Sequence, residues 1–209
     1  MNIFRFLLVF LFLFTPHFSF SQVETKIDYV PAITFGEGEH IVIAIHGSTQ
    51  SRTYFFSDYG SQFGPSLAKE GFKVIAISWP DQQGFMGGFP SLSLAIKYAR
   101  DTGAKKISLL GHSRGAELAI NYARSQGDGV FDTVIFLGSP DDKGLSLPNT
   151  KKLFAFSKND LHARWQQGAF DKSDLPKQII VIAGGGHGVR DMVKSKPDLL
   201  DEIISYLRR

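Results

Sequence analysis

The stretch Ile107-Ser108-Leu109-Leu110-Gly111-His112-Ser113-Arg114-Gly115 decides the reading of this chain. A largely apolar run leads into a serine that has a glycine two residues away on each side, and a helical pattern follows. Leu118, Ala119, Tyr122 and Ala123 share one face of a helix predicted over 114–125, which Gly127 stops. A strand that turns sharply into a helix at a serine needs small neighbours at those two places, because a Cβ there would clash across the bend. The turn lifts the hydroxyl above the sheet edge. It also sets Ser113 at a helix N-terminus, where unpaired N–H groups and the helix dipole favour negative charge. The bare G-x-S-x-G string arises by chance about 0.2 times in a chain of this glycine and serine content. The strand before it and the helix after it carry the weight.

Outward from this turn, near-continuous apolar runs at 41–45, 72–78, 107–110, 133–137, 153–156 and 178–182 predict strands buried on both faces of a parallel sheet. Helices are predicted between and after them at 92–100 (Leu92, Ala95, Ile96 and Ala99 on one stripe), 114–125 and 197–207. Strand and helix alternate from Gln22 onward without an internal repeat, a linker or a low-complexity tract, so one α/β domain over 22–209 is expected. Its site belongs in the loops after the strand C-termini.

With the turn at Gly111–Gly115 in place, the chain resembles the α/β-hydrolase family, and the resemblance extends from His46-Gly47 to the terminal helix. It implies a mainly parallel sheet with helices on both faces and a triad in the chain order serine, acid, histidine. Ser113 is the implied nucleophile. Asp160, after the run 153–156, stands where the family usually places its acid and is favoured over Asp141 and Asp142, which follow the preceding strand. His187 in Gly184-Gly185-Gly186-His187-Gly188 is the implied base, and its glycines permit a close approach to the serine. His162 is read as a rim residue. The oxyanion hole is implied to use the backbone N–H of Arg114 and that of Ser48 or Thr49, in the loop opened by His46-Gly47. His46 and His112 are read as structural.

Composition sets bounds around this reading. The 209 residues are 43% hydrophobic and 21% charged, an ordinary globular balance, with a formal net charge of +3. Lysines and arginines are scattered, so no nucleic-acid partner is expected. The chain has no cysteine, which excludes thiol catalysis and thiolate metal sites. H-E-x-x-H, P-loop and dinucleotide-binding patterns are absent, and neither metal nor organic cofactor is expected. Residues 1–21 read as a secretory signal peptide. Arg5 precedes an apolar run over 6–14 that is far short of the roughly 20 residues that span a bilayer, and Ser19 and Ser21 lie near the end. A secreted or periplasmic domain without a lasting membrane anchor is therefore expected. The sequence does not specify an oligomeric state.

The chemistry implied by the resemblance is hydrolysis of a small acyl substrate, a carboxylic ester or a related bond, through an acyl-enzyme on Ser113. A serine-dependent acyltransferase would use the same residues, and an inactive binding protein on the same fold is the third class. Only about 15 residues separate Leu137 from Leu153, so no substantial lid and an open site are expected. Tyr54, Phe55, Phe85 and Trp165 are the candidates to wall an apolar acyl pocket, with core packing as their alternative role.

Overall fold

The computed structural model describes residues 22–80 and 84–209. The segment 1–21, read above as a signal peptide, lies outside them. The parallel strands are β3 (His40–Ile45), β4 (Lys73–Ile77), β5 (Lys106–His112), β6 (Thr133–Leu137), β7 (Lys151–Ser157) and β8 (Lys177–Ile182). They match the six apolar runs of the sequence to within three residues at each end. An antiparallel hairpin of β1 (Val23–Ile27) and β2 (Val30–Phe35), which the apolar runs do not announce, extends the sheet at β4. The order is β1-β2-β4-β3-β5-β6-β7-β8.

Side chains alternate between the two faces of the sheet, and each face has its own core. On one face Ile43, Leu109 and Phe136 pack beneath α3 (Phe89–Asp101) and α4 (Arg114–Gln126). On the other, Val42, Ala44 and Leu110 meet α1 (Phe63–Lys69), α6 (Val189–Ser195) and α7 (Leu199–Arg208) through Phe63, Leu67, Met192 and Ile203. Each fully buried Leu, Ile or Phe contributes about 1.5–3 kcal/mol, so this two-sided burial dominates the stability. A short α2 (Gly84–Gly87) precedes α3, and α5 (Ala163–Lys172) follows β7. Among the described residues no helix is long and apolar enough to cross a membrane.

This topology fixes where a ligand belongs. The chain leaves β3 for β4 on one side and then returns across β3 to β5 on the other. The carboxyl ends of β3 and β5 therefore flank a point where the winding reverses, the usual crevice of an open α/β sheet. Ser113 and the loop from His46 both start there.

Candidate active site

At the end of β5 the backbone turns at Ser113 with φ 54° and ψ −123°, outside the regions open to an ordinary L-residue, and α4 begins at the next residue. Strain of this kind costs about 1–3 kcal/mol and persists only where the surroundings over-determine it. Two contacts do so here. The Ser113 N–H donates to the Leu137 carbonyl at 2.8 Å, and the Ala116 N–H returns to the Ser113 carbonyl at 2.9 Å. The neighbouring glycines are compulsory. A Cβ on Gly115 would lie 2.2 Å from the Ile45 carbonyl oxygen, and one on Gly111 would lie 2.5 Å from the Ala116 backbone. The helix can thus press against the end of β3 with the half-buried serine at its tip.

The acid and base loops converge on the same place. His187 Nδ1 and Asp160 Oδ2 are 2.8 Å apart, and the His162 amide donates to Asp160 Oδ1, also at 2.8 Å. Burial on its own raises the Asp160 carboxyl, but the hydrogen bonds from His187 and from the His162 amide outweigh it, so its pKa is lowered. Asp160 is therefore ionised at neutral pH and can only accept. The shared proton then sits on Nδ1, and Nε2 of His187 keeps its lone pair. The carbonyl of His187 is held by His112, whose Nε2 lies 2.9 Å away and must be the donor. Burial drops the pKa of His112 to about 4, so that ring is neutral. Tyr54 stacks on the His112 ring at 5.1 Å, and its hydroxyl accepts from the Val189 amide at 3.3 Å, just after the base.

The loop after β3 carries the other expected donors. Gln50 Oε1 accepts the Gly47 N–H at 2.8 Å, Ser48 is half-buried, and Thr49 is exposed in the left-handed region at φ 58°. Gly47 lies close enough to the nucleophile turn that a Cβ on it would be 3.0 Å from Ser113 Cβ. At the start of α4 the amides of the first positions, Arg114 included, have no partner within the helix. His46 is buried against Trp79, whose indole N–H donates to the His46 carbonyl at 3.0 Å.

Three supporting residues carry no sequence signal of their own. Gly138, with φ 61°, leaves room for the base, because a Cβ there would sit 3.1 Å from Asp160 Oδ2 and from the His187 ring. Gln166 is fully buried. Its amide nitrogen donates to the carbonyls of Phe136 and Ala155, and its oxygen accepts from the Ser139 N–H, tying the end of β6 to β7. Gln50 is the third. Gly138 and Gln166 act through partners that are distant along the chain, which a sequence pattern does not display, whereas Gln50 acts on Gly47 within its own loop.

The wall candidates separate. Tyr54 borders a cavity of about 420 Å³ that also touches Gln50, Ser51, Tyr59, Gly188 and Arg190, so its walls mix aromatic and polar groups instead of being apolar. Phe55 is only 1% exposed and packs against Tyr54 and Phe63, because it belongs to the apolar cluster that α1 builds on the sheet through Phe63 and Leu67. Trp165 stacks on His162 at 4.9 Å. The Phe85 side chain lies outside the described residues. Asp141, the alternative acid, is ion-paired with Arg124 at 3.0 Å.

Solved structures share this architecture. An esterase from Pyrococcus furiosus superposes with a TM-score of 0.73 over 91% of this chain and 92% of its own, at 15% identity. An esterase from Exiguobacterium antarcticum gives 0.70 over 86% and 96%, at 13% identity. The dienelactone hydrolase of Anabaena variabilis gives 0.67 over 88% and 94%, at 15% identity. The chain has the α/β-hydrolase fold. No protein-family profile matches the sequence, and no curated protein does. At identities this low the likeness rests on topology.

Proposed function

We propose that this protein is a serine hydrolase that cleaves carboxylic ester or related acyl bonds, with Ser113 as nucleophile, His187 as base and Asp160 as the acid that orients it. One observation carries the reading: a carboxylate–imidazole pair at 2.8 Å is tied, through the His112 ring on the His187 carbonyl, to the strained strand-to-helix turn that carries Ser113. Nothing in a merely structural loop calls for that combination.

In the reaction, His187 Nε2 takes the Ser113 proton as Oγ attacks the carbonyl carbon. The tetrahedral oxyanion rests on the Arg114 amide and on an amide of the Ser48–Thr49 loop, and each such donor is worth about 10²–10³ in rate. The imidazolium gives its proton to the departing alcohol. Water then yields a proton to His187 and attacks the acyl-enzyme, and the acid leaves with Ser113 restored. The cavity beside Gly188 receives one arm of the substrate. The match of this fold to esterases and hydrolases in the solved structures supports the same reaction class.

Reaction of the purified chain with a fluorophosphonate tests the assignment. The probe is expected to label wild type and to leave both Ser113→Ala and His187→Ala unlabelled. Equal labelling of Ser113→Ala and wild type would remove Ser113 from the role.

A further inference from the structure

The proposed reaction leaves one imidazole at the site unused. His162 precedes α5, with its ring edge-on to His187 at a centroid separation of 5.0 Å and stacked on Trp165 on its other side. Its Nδ1 is buried and has no hydrogen-bond partner. One ligand atom from each of Asp160, His162 and His187 lies within 4.8 Å of the other two.

Two imidazoles and a carboxylate are a donor set for a borderline cation such as Zn²⁺, whereas Mg²⁺ and Ca²⁺ favour oxygen alone. With metal–ligand distances of about 2.0–2.2 Å, adjacent ligands of a tetrahedral zinc lie roughly 3.3–3.5 Å apart. The Asp160–His187 contact at 2.8 Å has only to open slightly. The wider contacts, at up to 4.8 Å, have to close by up to about 1.4 Å through a change in the side-chain torsions of the half-buried His162 at the head of its helix.

We propose that Asp160, His162 and His187 form a zinc site whose occupation switches the enzyme off. This rests on the reading of His187 as the base, although the binding itself does not. Whichever ring nitrogen of His187 enters the coordination shell, the imidazole can no longer donate to Asp160 and accept the Ser113 proton in one catalytic cycle. Zinc here is an inhibitor competing with the triad hydrogen bond. The fourth coordination position is open to water, so chelators can strip the ion.

Calorimetric titration of the untagged protein with Zn²⁺, with circular dichroism to verify folding, tests the binding. One zinc per chain is expected, weakened at least tenfold in His162→Ala, in His162→Gln and in His187→Ala. In parallel, fluorophosphonate labelling is timed with and without zinc at a concentration that saturates wild type. Zinc is expected to slow labelling of wild type at least tenfold, with recovery on adding EDTA, and to slow labelling of both His162 variants no more than about twofold. Zinc affinity that is the same in wild type and in both folded His162 variants overturns the site, and so does a folded wild type that takes up no zinc. If zinc binds through His162 but the probe labels nothing, the metal site stands and the hydrolase reading falls.

Discussion

Gly138 leaves the end of β6 with a positive φ, and the space where its Cβ would be is bounded by the Asp160–His187 pair. Alanine at this position therefore forces the imidazole aside by a few tenths of an ångström, on top of a left-handed backbone penalty of about 1–2 kcal/mol. Gly138→Ala is expected to lower kcat, or the rate of fluorophosphonate labelling, at least tenfold. Gly127→Ala is the control. It has φ 87° and ψ 179°, a conformation essentially confined to glycine, with open space around it, and it should lose about 1–3 kcal/mol of stability with unchanged kinetics. Equal kinetics in the two variants would show that Gly138 is only a backbone hinge. Asp160→Asn keeps the shape of the pair but removes the charge, and is expected to cost about 10³–10⁴ in kcat with a small change in KM. At this scale Ser113 is legible in the sequence because its requirement is local: two glycines within two residues, a strand before and a helix after. Asp160 and His187 are legible through chain order after their strands. Gly138 and Gln166 are not, since what each touches is set by neighbouring strands and not by neighbouring residues.

The connection after β6 is fastened to α4 by one ion pair. Arg124 bonds both oxygens of Asp141 at 3.0 and 3.2 Å, donates to the Gly144 carbonyl, and is braced by Asn121. Burial by itself raises the Asp141 carboxyl, but the hydrogen bonds from Arg124 and the Lys143 amide and the charges of Arg124 and Lys143 together outweigh it, so the pKa is lowered. The Asp141 side chain is only 5% exposed, so removing its partner strands a charge. Arg124→Met is expected to destabilise the fold by about 3 kcal/mol, read as a lower urea midpoint. Asp141→Asn should leave kcat close to wild type, where a catalytic acid would lose several orders of magnitude. The elements that the sequence conceals share a physical cause. β1 is an edge strand with mostly exposed side chains, and β2 contains Pro31, so neither shows the continuous apolar run of a strand buried on both faces. In α5, Gln166, Gln167 and Gly168 interrupt the apolar stripe, and tertiary contacts through Gln166 hold what propensity does not.

Over the whole molecule, buried titratable groups make stability depend on pH in a definite direction. Burial depresses His112 to about 4, and burial also lowers His40, more than its nearby Asp132 raises it. In the unfolded chain both histidines titrate near 6.5. Between the two values the unfolded state binds protons that the folded state refuses, so stability is full above about pH 6.5 and is lost as the pH falls toward 4. The fully buried His112 accounts for a loss on the order of 3 kcal/mol across that window. Below it the depressed carboxyls Asp132 and Asp141 continue the trend, because their stabilisation is present above the ordinary aspartate pKa and disappears as the pH drops through their folded values. Urea midpoints measured at pH 7 and pH 4.5 should therefore fall steeply in wild type. His112→Gln keeps a donor for the His187 carbonyl but cannot titrate, so its midpoint should fall much less, with the remainder due chiefly to His40 and His162, which burial also lowers. A variant with the wild-type slope would mean that the ring beside the base is not the group that acid attacks first.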